Sequence, residues 1–273
     1  MGARKMKRIL AVVLAVVMVF ALVACNDASK NSGEVSSQPT PSKPAIFGDS
    51  DEITVTEGDF EFRLKYNNGS ISVALLDYYG GSRIVSIPSN AKGYAVTEIR
   101  ARAFKDCNFI TSVTIPDSVT RIGVEAFSGC RSLTSVTIPD SVTDIGEYAF
   151  SDCSSLTSVT IPDSVTSIEA WTFSNCQNLS ITIPDSVTSI GDAAFFNCRS
   201  LTSVTIPDSV TNIGKYAFCG CSSLTSVTIP DSVTEIGERA FDSNLRIVFF
   251  YSEKQLNSFK DQFPSSADLI VIQ

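Results

Sequence analysis

The chain of 273 residues contains no histidine. That removes Ser-His-Asp and Cys-His nucleophile pairs, imidazole ligation of metals, and the one side chain whose unperturbed pKa lies near neutrality. Basic residues are scarce, 21 Lys and Arg against 29 Asp and Glu, for a net charge of −8. A surface of that sign does not suit a phosphate backbone, so nucleic acid is excluded as the main partner. Tryptophan occurs once, at Trp171. Long apolar runs are missing too: the longest, Ile9 to Ala24, has 16 residues, against roughly 20 for a membrane-spanning helix.

That short run carries an address. Arg4, Lys5, Lys7 and Arg8 precede it, and Leu22-Val23-Ala24-Cys25 closes it. The order charged, apolar, small is that of a secretory signal. The ending resembles a bacterial lipobox, whose cysteine becomes the lipidated first residue of the mature protein. Residues 1–24 are therefore expected to be a lipoprotein signal peptide, with Cys25 the lipidation site. Their removal takes away four positive charges and no acids, so −8 becomes −12. Residues 25–50, rich in Ser, Asn, Gln, Pro and Lys, hold too little apolar surface to offset their ordering entropy, and read as a flexible tether. The expected location is outside the cell, anchored to the bacterial membrane by lipid alone.

The rest of the chain is one repeat. Leu-Thr-Ser-Val-Thr-Ile-Pro-Asp-Ser-Val-Thr occurs verbatim at 133–143, 156–166, 201–211 and 224–234. The isoleucine before each Pro-Asp is Ile115, Ile138, Ile161, Ile183, Ile206 and Ile229, a period of 23 with one step of 22. An irregular earlier copy with five extra residues around Gly93 makes seven coils. Within 133–156 the apolar positions are Leu133, Val136, Ile138, Val142, Ile145, Ala149, Phe150 and Cys153. Leu133-x-x-Val136-x-Ile138 reads as a strand with alternate residues inward. Pro139-Asp140-Ser141 reads as a turn held by Asp or Ser bonding its own backbone. Glu147 to Phe150 suits a short helical turn. One such coil cannot bury its apolar face alone, so the coils must stack.

The unit Leu-x-x-Val-x-Ile-Pro…Val-Thr-x-Ile-Gly-x-x-Ala-Phe-x-x-Cys resembles the bacterial BspA-like leucine-rich repeat family over about residues 85–250. The resemblance implies a right-handed leucine-rich repeat solenoid with a parallel sheet, mainly β with short helical or 3-10 turns. Residues 51–86 are expected to form a β-rich N-terminal cap, 87–250 the solenoid and 251–273 a C-terminal cap. Ile53 to Val55, Phe60 to Tyr66 and Ile71 to Leu75, with an Asn67-Asn68-Gly69 turn, read as a hairpin covering the first coil. At the other end, Ser252-x-x-Gln255 reads as a capping box for a helix with Leu256, Phe259 and Phe263 on one face. Pro264 stops that helix before a last strand at Leu269 to Ile272. The family resemblance implies adhesion-type roles.

Four columns are candidate sites. Cys107, Cys130, Cys153, Cys176, Cys198 and Cys221 share one repeat position and read as a ladder of buried, reduced thiols. A straight column does not converge into a zinc tetrahedron. Cys219 stands where other coils have Ser128, Ser151 and Ser174. Asp117, Asp140, Asp163, Asp185, Asp208 and Asp231 form an acidic column, readable as a calcium or basic-partner stripe or as turn chemistry. The latter suffices, since in water neighbours about 5 Å apart repel by roughly 0.8 kcal/mol and a turn hydrogen bond contributes about 1. Outward strand positions, Thr137, Thr160 and Thr205 among them, form an almost uncharged hydroxyl face suited to protein or glycan. The fourth column, the residue before Ala-Phe or its equivalent, varies most: Glu125, Tyr148, Trp171, Ala193, Tyr216 and Arg239. Tyr148, Trp171 and Tyr216 are candidate anchors for a partner. No convergent acid, base, nucleophile or metal set appears, and no cofactor is implied. The expected role is surface binding or adhesion toward an extracellular protein or glycan. A ligand-free envelope spacer and an ice-binding Ser/Thr array are the alternatives.

Overall fold

A computed structural model describes residues 42–272, so Cys25 and the signal segment lie outside the described residues. Phe47, within the stretch read as tether, is buried and packs on Tyr66 with ring centroids 5.9 Å apart. The segment from Ala45 onward is thus folded onto the domain.

Strands β1 (Glu52–Glu57), β2 (Phe60–Asn67) and β3 (Ser70–Tyr78) form an antiparallel meander. The β2–β3 turn uses Asn68 at φ 45° and Gly69 at φ 88°, the pair of left-handed residues that matches the twist of a two-residue hairpin. Phe62, Leu64, Val73 and Leu75 of this meander are fully buried and close the end of the core. β3 then pairs in parallel with Tyr94–Ile99, which starts the solenoid's short-strand ladder. The five extra residues make a small hairpin, Asn90–Ala91 against Tyr94, turning at Lys92 and Gly93 with positive φ.

Each coil has three sides. The first carries the Leu-x-x-Val-x-Ile strand, in parallel register from Ile84–Ser86 through Ser112–Thr114 and Ser135–Thr137 to Ser158–Thr160. The second carries two-residue strands such as Arg121–Ile122 and Asp144–Ile145. The third is a turn. Glu147 to Phe150 is not the helical turn expected: Tyr148 has φ 57°, and the amides of Tyr148 and Phe150 donate outward to Ala170 and Thr172 of the next coil instead of back along their own chain. The same forward bonds recur from Arg102 to Phe218. Inside this side runs a stacked column of buried rings, Phe104, Phe127, Phe150, Phe173, Phe195, Phe218, Phe241 and Phe263, with successive centroids 4.9–5.7 Å apart.

The solenoid makes about nine turns where the repeat predicts seven. The two further rungs are Ile247–Phe250 and Asp268–Val271, which continue the parallel ladder from Ser226–Ile229. Ile247–Phe250 falls within the expected solenoid, and the C-terminal cap consists of the helix α1 (Glu253–Phe259) and the last rung, a helix followed by a strand as expected. Ser252 accepts from the Gln255 amide as expected. The Gln255 side chain does not complete the capping box, because its amide donates to the Pro230 carbonyl at 2.6 Å.

Two departures from the repeat interrupt the ladders. In most coils a glycine follows the short strand, and a Cβ there would meet the previous coil's backbone: 2.7 Å from Val124 N at Gly146, 2.6 Å from Ala170 N at Gly191. Coil four has Glu169 at this position. Its side chain cannot enter that gap, and the short-strand ladder breaks between Asp144–Ile145 and Ser167–Ile168. The second departure is the 22-residue step. Coil five has no residue equivalent to Thr157, whose amide donates to Thr134. Residues 203–205 of the next coil then pair with neither neighbour, and the long-strand ladder divides into sheets of four and three strands.

Candidate binding surface

The six-residue cysteine ladder lies in the core next to the phenylalanine column. Cys130, Cys153, Cys176, Cys198 and Cys221 are buried and each donates its thiol to the carbonyl of a phenylalanine one coil earlier, at 3.1–3.2 Å. Burial raises every one of these thiols above its ordinary pKa, Cys153 and Cys221 to about 12. Cys107, the first rung, is half-buried and pushed up to about 11. All seven described cysteines are free, and Cys219 is half-buried with its thiol also raised, mainly by burial. The column is packing material.

The aspartates of the Pro-Asp-Ser turns are exposed. The turn does not rest on them. It closes by the Val142 amide donating to Pro139, with equivalents at Val119, Val165, Val187 and Val210. Ser141 reaches back to the Val119 carbonyl of the preceding coil at 2.6 Å, not to its own backbone as expected. Of the six aspartates only Asp231 accepts a side-chain hydrogen bond among the described residues, from Ser252. No cluster of three or more His, Cys, Asp or Glu among the described residues is arranged to hold a metal ion.

Thr137, Thr160 and Thr205 lie exposed on the long-strand side. Thr137 sits in continuous ladder. Thr160 lines a depression of about 550 Å³ beside the short strand of coil five, together with Asp163, Ser180, Thr182 and Asp185. Thr205 lines a neighbouring hollow of about 350 Å³ with Asp208, Thr228 and Tyr251. The break after Ser180 interrupts the regular Thr spacing that an ice-like lattice would need.

The aromatic candidates are on the turn side. Tyr148 and Trp171 stack with centroids 5.7 Å apart and planes within 3°. Trp171 in turn meets Phe196 at 5.7 Å, tilted by 56°. Tyr216 makes no ring contact with them: Ala193 separates it from Trp171 in the column, and Phe196 takes the vacated space. The strip is thus Tyr148–Trp171–Phe196, all half-exposed. Phe196 replaces the serine found at Ser128, Ser151 and Ser174, a substitution visible in the aligned repeats on the column that also holds Cys219. At one end of the column, Arg102 and Lys105 both pair with Glu125, holding its carboxyl below the usual carboxylate range.

The backbone beneath the strip adds weight. Tyr148, Trp171 and Tyr216 all have φ between 57° and 61°, a left-handed conformation costing about 1–2 kcal/mol for a residue with a Cβ. Asn, Asp or Gly would relieve it. The companion left-handed position before each cysteine uses those types: Asp106, Gly129, Asp152, Asn175, Asn197 and Gly220. Local backbone preference does not account for rings at the first position.

A family model for the BspA-type leucine-rich repeat region, in six copies, matches residues 97–181 and 179–270. The chain belongs to that family. Two solved structures of similar fold are those of a leucine rich cell surface protein from Faecalibacterium prausnitzii A2-165 and a leucine-rich repeat protein of T. pallidum. The first is 40% identical with a TM-score of 0.65, covering 74% of this chain and 55% of its own. The second is 29% identical with a TM-score of 0.66, covering 83% of this chain and 99% of its own. This chain therefore spans little more than half the length of the F. prausnitzii relative. No curated protein matches it. Set against the BspA-type unit, coils four and five hold its main departures: Glu169, Trp171, Thr172, the deleted strand residue and Phe196. The structure gathers them around two adjacent coils.

Proposed function

We propose that the protein is a non-catalytic binding protein held at the outer surface of a bacterial cell by a lipid on Cys25, engaging an extracellular macromolecule in an adhesion-type role. The observation that carries this reading is the strip Tyr148–Trp171–Phe196: half-exposed rings, two of them on left-handed backbone that a smaller polar residue would adopt more cheaply. Tyr and Trp on a rigid frame lose little freedom on binding and are frequent energetic anchors. The cell-surface description of the F. prausnitzii relative supports the location. The test is binding of the full chain to a panel of extracellular-matrix proteins and glycans, read through the emission of Trp171. Binding that Tyr148→Asn abolishes supports the role, and silence across the panel favours a ligand-free spacer.

A second reading, glycan capture on the long-strand side, is favoured by one observation. The two hollows at the ladder break bring hydroxyls, carboxylates and exposed Tyr251 together, the acceptor, donor and ring set that a polyhydroxylated ligand uses. Glycan binding insensitive to Tyr148→Asn and lost on Asp185→Asn would place the ligand there.

A further inference from the structure

We propose that the partner of the Tyr148–Trp171–Phe196 strip is a basic segment of polypeptide, one that interleaves Lys or Arg with apolar residues. The inference deepens the binding role proposed above and rests on it. Its basis is where the charge lies. Between Arg131 and Arg199 there is no Lys or Arg, while Asp140, Asp144, Glu147, Asp152, Asp163, Glu169, Asp185 and Asp192 fall in the same stretch. In the protein anchored at Cys25, without Arg4, Lys5, Lys7 and Arg8, the remainder has 21 acids and 17 bases. Eight of the twelve net negative charges therefore sit on the coils that carry the strip.

Little inside the protein offsets it. Of the eight, only Asp144 has an ion pair among the described residues, with Arg121 at 3.1 Å. Glu147 immediately precedes Tyr148 and is exposed, Glu169 lies two residues before Trp171, and Asp192 adjoins Ala193 in the next coil. Carboxylates therefore lie close in sequence to the strip, with Asp192 also accepting the Lys215 amide and Glu169 the Ser167 hydroxyl. The stacked Tyr148 and Trp171 rings cover one face of each other, and their partly exposed remainder suits the methylene stems of long cationic side chains whose heads reach carboxylates nearby. Clustered charge of one sign also speeds association with a partner of the other, in a salt-dependent way. The Arg102–Lys105–Glu125 group marks where this field ends.

The test uses the full chain in mild detergent with three synthetic peptides of equal length: alternating Lys-Leu, alternating Glu-Leu, and neutral Ser-Gly. Trp171, the sole tryptophan, reports contact directly. The expected result is saturable binding of the Lys-Leu peptide with a shift in Trp171 emission, weaker at higher salt and absent for the other two. Tyr148→Asn and Phe196→Ser keep the fold, since left-handed backbone accepts Asn and the repeat already holds Ser at the second position. Each is expected to weaken Kd by about thirtyfold or more, the threshold of an anchor residue. Glu147→Gln with Asp192→Asn should weaken it far more than Asp163→Asn with Asp185→Asn, which removes the same charge from the long-strand edge. Equal effects of the two pairs, or binding without change at Trp171, reduce the interaction to bulk electrostatics and overturn the proposal. If no peptide binds while a matrix partner does, sensitive to Tyr148→Asn, the surface-binding role stands and the basic partner is refuted.

Discussion

The thiol of Cys153 donates to the carbonyl of Phe127 across 3.2 Å, one coil back. The same carbonyl accepts the Cys130 amide from its own coil. Each cysteine therefore binds two coils together as a donor, which requires the protonated thiol. Stability follows from that requirement.

Unfolding should become steeply easier in alkali. A cysteine thiol in water titrates near 9.0, and burial raises Cys153 and Cys221 to about 12. Between those limits the unfolded chain releases protons that the folded chain keeps, so stability is intact below pH 9 and falls as pH rises toward 12. Each such thiol contributes a slope of roughly 1.4 kcal/mol per pH unit. Denaturant midpoints measured under reducing conditions at pH 7, 8 and 10.5 should be nearly flat over the first interval and drop over the second. Cys153→Ala should flatten the drop. A midpoint independent of pH to 10.5 would show that the thiols titrate normally in the fold.

The repeat glycine is needed for the gap, not for its φ. Gly146→Ala would place a Cβ 2.7 Å from Val124 N and should cost about 1–3 kcal/mol by overpacking, read from equilibrium unfolding. The converse change, Glu169→Gly, should let coil four close on coil three. Hydrogen exchange at the Thr166 amide is expected to slow, since that residue is the only interior member of its column without a bond to the coil before it: Thr143 bonds Thr120, and Thr188 bonds Thr166.

The ring column should respond to a single deletion. Phe150 stacks on Phe127 at 5.4 Å and on Phe173 at 5.6 Å. Phe150→Ala removes both contacts in a fully buried site and is expected to cost about 3–5 kcal/mol. Because coils interact only with neighbours, the transition should also broaden, with the two halves of the solenoid melting separately by circular dichroism.

Ending the chain at Tyr251 should make the solenoid associate more strongly than the full chain does. That truncation removes Phe263, which covers Phe241 and meets Phe250 edge-on, and strips the last strand from Ile247–Phe250. An open strand edge over exposed phenylalanine is a template for pairing with another chain. Size-exclusion chromatography with light scattering should find a larger mass per particle, relative to chain length, for the truncated form than for the full chain.

Most of this architecture was legible in the repeat. A verbatim period fixes which residues face inward, and Phe150 and Cys153 are buried where the alignment puts them. The failures came where a residue's role depends on the neighbouring coil. Tyr148 looked helical because its own segment permits a helix, whereas its amide is taken by Ala170. Ser141 looked like a local turn residue and instead reaches Val119. Tyr216 belongs to the same column as Trp171, but column membership does not say that Ala193 leaves a gap that Phe196 fills. Local propensity cannot weigh bonds between residues 22 or 23 apart.

The two ladder breaks are offset, and that governs how the column carries load. Between coils three and four the short strands part while the long strands of Ser135–Thr137 and Ser158–Thr160 stay paired. On both sides of coil six the long strands part while Ser189–Ile190, Asn212–Ile213 and Glu235–Ile236 stay paired. The turn side is unbroken at both. The solenoid thus contains two compliant joints that open on different sides, neither a complete cut. Tension along the solenoid would be taken up by flexing at these joints in two directions, while the Tyr148–Trp171 stack bridges the first joint on the unbroken side.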